Sequence, residues 1–241
     1  MGCLSTRVYV LSGGRGARRG FYSRRGLALG IEYEDKYLLF DTGPDSSLLS
    51  SNSTQAGFPL NLVDFVVISH SHTPHIGGLE AVGWESPFTK AFLPYGSLEN
   101  LGKQVWRKQL TPVEVVRETE IVKGVFVSRP YHGPPWEHFL LVESGEGVGE
   151  YILFSGCFHP GVDVVLNDLE KKFRIRAVVG GFHLEQAPFN VVERVAEALA
   201  LRLGIREVYP LHCSGSLIGD ILSKEYNVRV TYLNTGDTIE L

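Results

Sequence analysis

The sequence predicts an α/β (α+β) protein in which helices cover mixed β-sheet, arranged as one sheet or as two with the helices outside. Three observations carry this. The front half is rich in short strands joined by tight turns. The back half alternates strands with amphipathic helices. Apolar runs end again and again in a polar residue, as in Val66-Val67-Ile68-Ser69-His70, Leu39-Phe40-Asp41 and Val208-Tyr209-Pro210-Leu211-His212.

Residues 7–11 alternate and are β-branched, so they read as a strand, and 12–25 is a Gly- and Arg-rich loop. Residues 27–33 and 36–40 form a hairpin around Glu34-Asp35. Residues 62–68 are apolar apart from Asp64, as a strand buried on both faces would be. Residues 76–82 open a helix. Residues 97–106 form another, capped by Ser97, with Leu98, Leu101 and Val105 on one face. Short strands follow at 113–116 and 124–128, then a hairpin of 139–143 and 151–154 around the Gly145–Gly149 turn. The last third reads helix 162–173, strand 176–179, helix 188–203 between Pro188 and Gly204, strand 207–211, helix 216–226 and strand 228–233.

The chain has 241 residues, 44% hydrophobic and 21% charged, which excludes a disordered chain and leaves one large domain over 1–241 or two small ones open. A net charge of −4 gives no global attraction to nucleic acid or anionic membrane. The apolar runs are too short for a transmembrane helix, and the N-terminus lacks the pattern of a signal peptide. Met1-Gly2-Cys3-Leu4-Ser5-Thr6 fits the loose myristoylation pattern, although a lead into the first strand explains it equally. Three cysteines suit a reducing cytoplasm better than a disulfide framework.

Six of the eight histidines lie just past the ends of apolar strands: His70, His72, His75, His159, His183 and His212. Ligands of sheet–helix proteins bind beyond the carboxyl ends of strands, where loops converge. A single histidine there is an ordinary surface or satisfied residue, but six in one structural context point to a shared metal site. Imidazole suits zinc and also iron. His70 and His72, two apart, can face one ion, and His75 can turn toward a second. A third histidine from another strand end closes a three-His site with a position left open, which marks catalysis rather than structure.

Ser69-His70-Ser71-His72-Thr73-Pro74-His75-Ile76-Gly77-Gly78-Leu79 resembles the metallo-β-lactamase superfamily signature, His-x-His-x-Asp-His followed by Gly-Gly-Leu. Leu39-Phe40-Asp41-Thr42-Gly43 resembles its first motif. Gly156-Cys157-Phe158-His159-Pro160-Gly161, Gly180-Gly181-Phe182-His183-Leu184 and Pro210-Leu211-His212-Cys213-Ser214-Gly215 resemble one branch, which includes the archaeal dihydropterin–ribofuranosylaminobenzene phosphate synthases. The resemblance runs from about Gly26 to Gly236. It implies an αββα sandwich with the metal site at one edge. It implies that His70, His72 and His159 hold one ion, His75 and His212 a second, and that His183 stands where many relatives have a bridging Asp. Asp41 would position the histidine loop. One or two ions of zinc, iron or manganese are implied.

The sequence departs from that pattern at Pro74, where the family has an Asp that ligates the second ion and orients water. The second site is then all histidine, or empty, or reached by another carboxylate such as Asp45 or Asp163. Gly14-Arg15-Gly16-Ala17-Arg18-Arg19-Gly20 imitates a dinucleotide fingerprint, but no helical period follows it. Five arginines between Arg15 and Arg25 form either a solvated loop or an anion-binding rim, with Arg18 and Arg19 as candidate substrate contacts. His132, beside Gly133-Pro134-Pro135-Trp136, is another, whereas Cys157 and Cys213 are expected to point away from the metal as buried filler. The expected function is metal-dependent hydrolysis of a small anionic, phosphorylated substrate. A pterin-type transferase and a non-enzymatic metal-binding module remain as alternatives.

Overall fold

The structure, a computed structural model, describes residues 6–145 and 149–241. Gly2 and its myristoylation pattern lie outside the described residues, as do residues 146–148 of the Gly145–Gly149 turn.

One sheet is built from β1 (Thr6–Ser12), β2 (Ala28–Tyr33), β3 (Lys36–Phe40), β4 (Val63–Val67), β5 (Lys90–Pro94) and β6 (Thr111–Val115). The other is built from β7 (Thr119–Val122), β8 (Val125–Val127), β9 (Leu140–Glu143), β10 (Glu150–Ser155), β11 (Arg174–Gly180), β12 (Glu207–Pro210) and β13 (Arg229–Val230). The chain then returns to the first sheet, where β14 (Thr238–Glu240) pairs with β1. Within each sheet the earlier strands are antiparallel and the later ones parallel. β1 through β3 and β7 through β10 form the antiparallel parts. β3 through β6 and β10 through β13 form the parallel parts. The carboxyl ends of the parallel strands therefore share one edge of the molecule, and that edge carries every strand-end histidine.

The helices are α1 (Ser46–Ala56), α2 (Thr73–Ile76), α3 (Leu79–Glu85), α4 (Lys103–Arg107), α5 (Val162–Leu169), α6 (Phe189–Glu197) and α7 (Leu217–Glu225). The pleat of each strand divides its side chains between two layers. Leu38 and Phe40 of β3 and Val67 of β4 meet Val127, Leu140, Ile152 and Val179 of the second sheet in a core between the sheets. Leu39 and Val66 face the other way, onto Leu49 of α1 and Leu79 and Val82 of α3. On the far side Leu153, Val178 and Val208 pack against Val165 of α5, Val192 of α6 and Ile221 of α7. Three stacked cores make this an αββα sandwich, the two-sheet form of the sequence expectation.

Several elements differ from their sequence reading. α1 has no counterpart in the sequence reading, because only Leu48 and Leu49 are large apolar residues within it. It forms because Asp45 caps Leu48 N–H at 2.8 Å and Gly57 closes the far end in the left-handed conformation. β5, β7 and β14 are short and not alternating, and pairing with neighbours defines them. Residues 97–106 begin with a π-helical turn, Leu98–Gly102, and Ser97 makes no capping bond. In the 228–233 segment only Arg229–Val230 pairs as strand. Among the described residues no helix is long and apolar enough to cross a membrane.

Candidate metal centre

The loop after β4 begins with Ser69 and carries three histidines, and Asp41 at the end of β3 anchors it. The Asp41 carboxylate is fully buried and accepts three hydrogen bonds: from Ser69 N–H at 2.7 Å, from Ser69 Oγ at 2.7 Å and from His75 Nδ1 at 2.6 Å. The last bond fixes the His75 ring with Nε2 pointing away from Asp41. The Ser69 hydroxyl also lies 2.9 Å from His70 Nδ1, which leaves His70 Nε2 to face His72 Nδ1 at 3.1 Å. Gly77 and Gly78 let this loop press onto the Asp41 turn. A Cβ at Gly78 would lie 2.1 Å from the Thr42 carbonyl oxygen, and one at Gly77 2.0 Å from that of Pro44.

The second sheet contributes the opposite wall. His159 follows β10, His183 follows β11 and His212 follows β12. Asp41, Phe158, His183 and His212 all have positive φ, between 50° and 57°. Asp and His enter this region more easily than most residues, whereas a bulky Phe there stores strain of the kind that gathers at functional sites. Gly156 brings the two walls together, because any Cβ on it would lie 2.1 Å from Ser69 Oγ.

The six imidazoles form one chain of contacts. Ring centroids are 4.8 Å apart for His70–His72, 4.7 Å for His70–His159 and 4.8 Å for His72–His159. They are 4.1 Å apart for His70–His75, 4.9 Å for His75–His212 and 4.7 Å for His159–His183. One nitrogen from each of His70, His72 and His159 lies within 4.8 Å of the others. Two nitrogens on one tetrahedral zinc at 2.0–2.1 Å stand about 3.4 Å apart, so a small contraction suffices. His159 Nε2 and His212 Nδ1 are buried without a hydrogen-bond partner among the described residues, as ligand atoms awaiting an ion would be. Burial holds His70 well below the usual imidazole range and lowers His72. It also pushes His159 down to about 4 and His212 to about 3, with the neighbouring imidazoles adding to the effect. These rings are neutral at pH 7, the form that ligates metal. The residues present fit a transition metal.

Cys157 faces this cluster rather than away from it. Its Sγ lies 3.5 Å from His75 Nε2 and 3.4 Å from Cys213 Sγ. Strand alternation cannot be carried to Cys157 because β10 ends at Ser155 and the backbone turns sharply at Phe158. Glu137 also escaped the sequence reading. This fully buried carboxylate accepts N–H bonds from Cys157 at 2.7 Å, Phe158 at 3.1 Å and His159 at 2.7 Å, and so shapes the loop that presents His159. Burial nonetheless pushes it up to about 7. Its Pro-rich surroundings carry no motif that would reveal it.

The candidate carboxylates lie elsewhere. Asp45 caps α1 and pairs with Arg24 at 2.9 Å, while Asp163 on α5 pairs with Arg202 at 3.2 Å. Each is committed to its own helix and neighbouring arginine. Arg18 is bound to Asp237, and no contact ties Arg19 to the cluster. Of this arginine-rich loop it is Arg15 that lines a cavity next to the cluster. The cavity, of about 300 Å³, opens beside His212, with Gly13, Gly14, Arg15, Glu185, Ser216 and Tyr232 in its lining. The Arg15 guanidinium lies 4.5 Å from the centre of the Tyr232 ring. Arg25 stands at the mouth of a second recess with His183 and Cys213, paired to Glu185 at 2.9 Å. His132 packs edge-on against Trp136 and is not part of the histidine chain.

The chain is similar to several known proteins. A family described as Anti-Pycsar protein Apyc1 matches residues 14–123. An uncharacterized protein of Methanocaldococcus jannaschii, MJ0448, is 27% identical, with 83% of this chain and 87% of that protein covered. From the same organism, 7,8-dihydropterin-6-methyl-4-(β-D-ribofuranosyl)-aminobenzene-5'-phosphate synthase is 23% identical over 97% of this chain and 96% of its own length. The solved structure of Tm1679, a metal-dependent hydrolase of the β-lactamase superfamily, matches with a TM-score of 0.81 at 26% identity. It covers 98% of this chain and 99% of Tm1679. The chain has the metallo-β-lactamase fold and resembles a metal-dependent hydrolase of that superfamily over nearly its whole length.

Proposed function

We propose that this protein is a zinc-dependent hydrolase of a small phosphorylated molecule. The observation that carries the proposal is the cavity beside His212. The same histidine belongs to the metal cluster and to a recess furnished with Arg15 and Ser216, while Glu185 on its lining is paired to Arg25. Guanidinium and hydroxyl donors beside a cationic centre suit phosphate oxygens.

His70, His72 and His159 would hold one ion, and His75 and His212 a second. When bound, such an ion supplies Lewis acidity toward a phosphoryl oxygen and activates water near neutral pH. The remaining roles fall to the chain itself. Asp41 holds His75 in one tautomer, Glu137 sets the loop bearing His159, and Arg15, steadied on Tyr232, binds and orients the anionic group. On this reading the protein works in the cytoplasm, where Cys157 and Cys213 stay reduced.

The test is metal analysis of purified protein with a screen of phosphomonoesters and phosphodiesters against neutral esters and lactones. Turnover of a phosphoester with a KM raised about tenfold in Arg15→Ala supports the reading, a loss equivalent to ~1.4 kcal/mol of substrate binding. Turnover confined to neutral esters would overturn it. A second reading, a pterin-type transferase, is favoured by Pro74, since displacement of diphosphate by an arylamine needs no water-orienting carboxylate. The full-length similarity to the synthase points the same way. Product analysis with a pterin diphosphate and an arylamine separates the two. Metal binding with no turnover of either kind would leave a non-enzymatic metal-binding module.

A further inference from the structure

We infer that Cys157 is a metal ligand whose thiolate sulfur stands between the two ions and supplies the negative charge that Pro74 cannot. This rests on the metal-dependent reading above.

Two dications held about 3.5–4 Å apart repel strongly, and neutral imidazoles do nothing to offset that. The first carboxylate expected of such a site is missing at position 74, and Asp45 and Asp163 are engaged elsewhere. Among the described residues Asp41 is the one carboxylate hydrogen-bonded to an imidazole of the cluster, while Glu137 is engaged by the backbone N–H groups of Cys157, Phe158 and His159. The Asp41 oxygens are taken up by Ser69 and His75, so Asp41 serves the loop rather than an ion.

Cys157 is placed where the charge is needed. Its sulfur lies within 4.8 Å of a ring nitrogen of His70, His75, His159, His183 and His212. Among the described residues it is the one ionisable acid whose ligand atom shares such groups with histidines of both walls. The 3.5 Å separation from His75 Nε2 is close to the roughly 3.5 Å between nitrogen and sulfur on one tetrahedral zinc, with bonds of about 2.1 and 2.3 Å. The thiol is buried, and its loop is pinned by Glu137 through the Cys157 N–H at 2.7 Å. Cys213 lies behind it, with its sulfur 3.4 Å away and itself accepting the His183 N–H at 3.2 Å. Cys213 shares a group with Cys157 and His212, but unlike Cys157 it joins no group with His70, His75 or His159.

Binding replaces the S–H bond of Cys157 with an S–metal bond and releases one proton to solvent, with no change of oxidation state. A soft sulfur between imidazoles favours zinc or cobalt over manganese and magnesium, which prefer oxygen.

The full chain, stripped by chelation under reducing conditions, is titrated with Co(II). The expected result is two ions per chain with a near-ultraviolet thiolate-to-cobalt charge-transfer band. Cys157→Ser should lose the band and bind one ion, while Cys213→Ser keeps the band. X-ray absorption on the zinc-loaded wild-type protein, which needs no variant, should show a sulfur scatterer at about 2.3 Å. Two ions bound with neither band nor sulfur scatterer would overturn the inference alone and leave the histidine centre standing. A band lost in Cys213→Ser but kept in Cys157→Ser would overturn it too, by moving the ligand to Cys213. Failure to bind any ion would overturn both this inference and the metal-dependent reading.

Discussion

Asp41 Oδ2 accepts the Nδ1–H of His75 at 2.6 Å with both side chains buried in the wall between the sheets. A charge-assisted bond of this kind fixes both the tautomer and the direction of the ring. Asp41→Asn keeps the size but loses the charge, and it also turns an amide toward Ser69 N–H. We expect metal affinity at the position held by His75 to fall about 10–100-fold, read by competition with a chelating indicator. Affinity unchanged within about twofold would mean that the bond does not orient His75.

Glu137→Gln makes a different kind of fault. Three backbone N–H groups converge on the Glu137 carboxylate, and an amide can accept from only one of its two ends. One donor of the His159 loop is left buried and unpaired, at a cost of about 1–3 kcal/mol. Chemical denaturation should show that loss, and metal content should fall with it.

Gly156→Ala tests the meeting of the two walls. The added methyl would sit 2.1 Å from Ser69 Oγ, inside the bond network of Asp41. Overpacking of about 1–3 kcal/mol is expected, together with weaker metal binding, because the two walls are forced apart. Wild-type stability and metal content in this variant would show that the loops have room the structure does not give them.

The metal-free protein should lose stability as pH falls from about 6.5 toward 4. His138, His159 and His212 are held at about 3, about 4 and about 3, with burial the largest cause, so they stay neutral in the folded chain while the unfolded chain takes up protons near 6.5. Glu137 acts in the opposite sense. Raised to about 7, it contributes stability below about 4.5 that is lost as pH rises through 7. Between 4.5 and 6.5 the histidines outnumber it, and stability rises with pH. Urea midpoints across this range check the sign, and added zinc should steepen the slope because protons compete for the same nitrogens.

The parts of this structure that could be read from the sequence are those where burial writes a pattern. β4 and β11 are parallel strands covered on both faces, so they stand out as apolar runs, and the histidines after them follow as punctuation. α5, α6 and α7 show the helical period because each buries one stripe. α1 does not, since most of its apolar contact comes from Leu48 and Leu49, and its Asn52 is buried by bonding the Leu11 and Tyr22 carbonyls. Glu137 and Cys157 were hidden for another reason. Their roles depend on loop paths beyond the strand ends, where neither period of two nor of 3.6 tells which way a side chain points. Arg15 rather than Arg18 reaches the cavity for the same reason, since Asp237 draws Arg18 aside.

The division of the histidines between two sheets would make an ion a clasp. His70, His72 and His75 follow strand β4 of the first sheet, and His159 and His212 follow β10 and β12 of the second. An ion held from both sides would tie the sheets together at that edge, so stripping it should loosen the seam there before either sheet itself gives way.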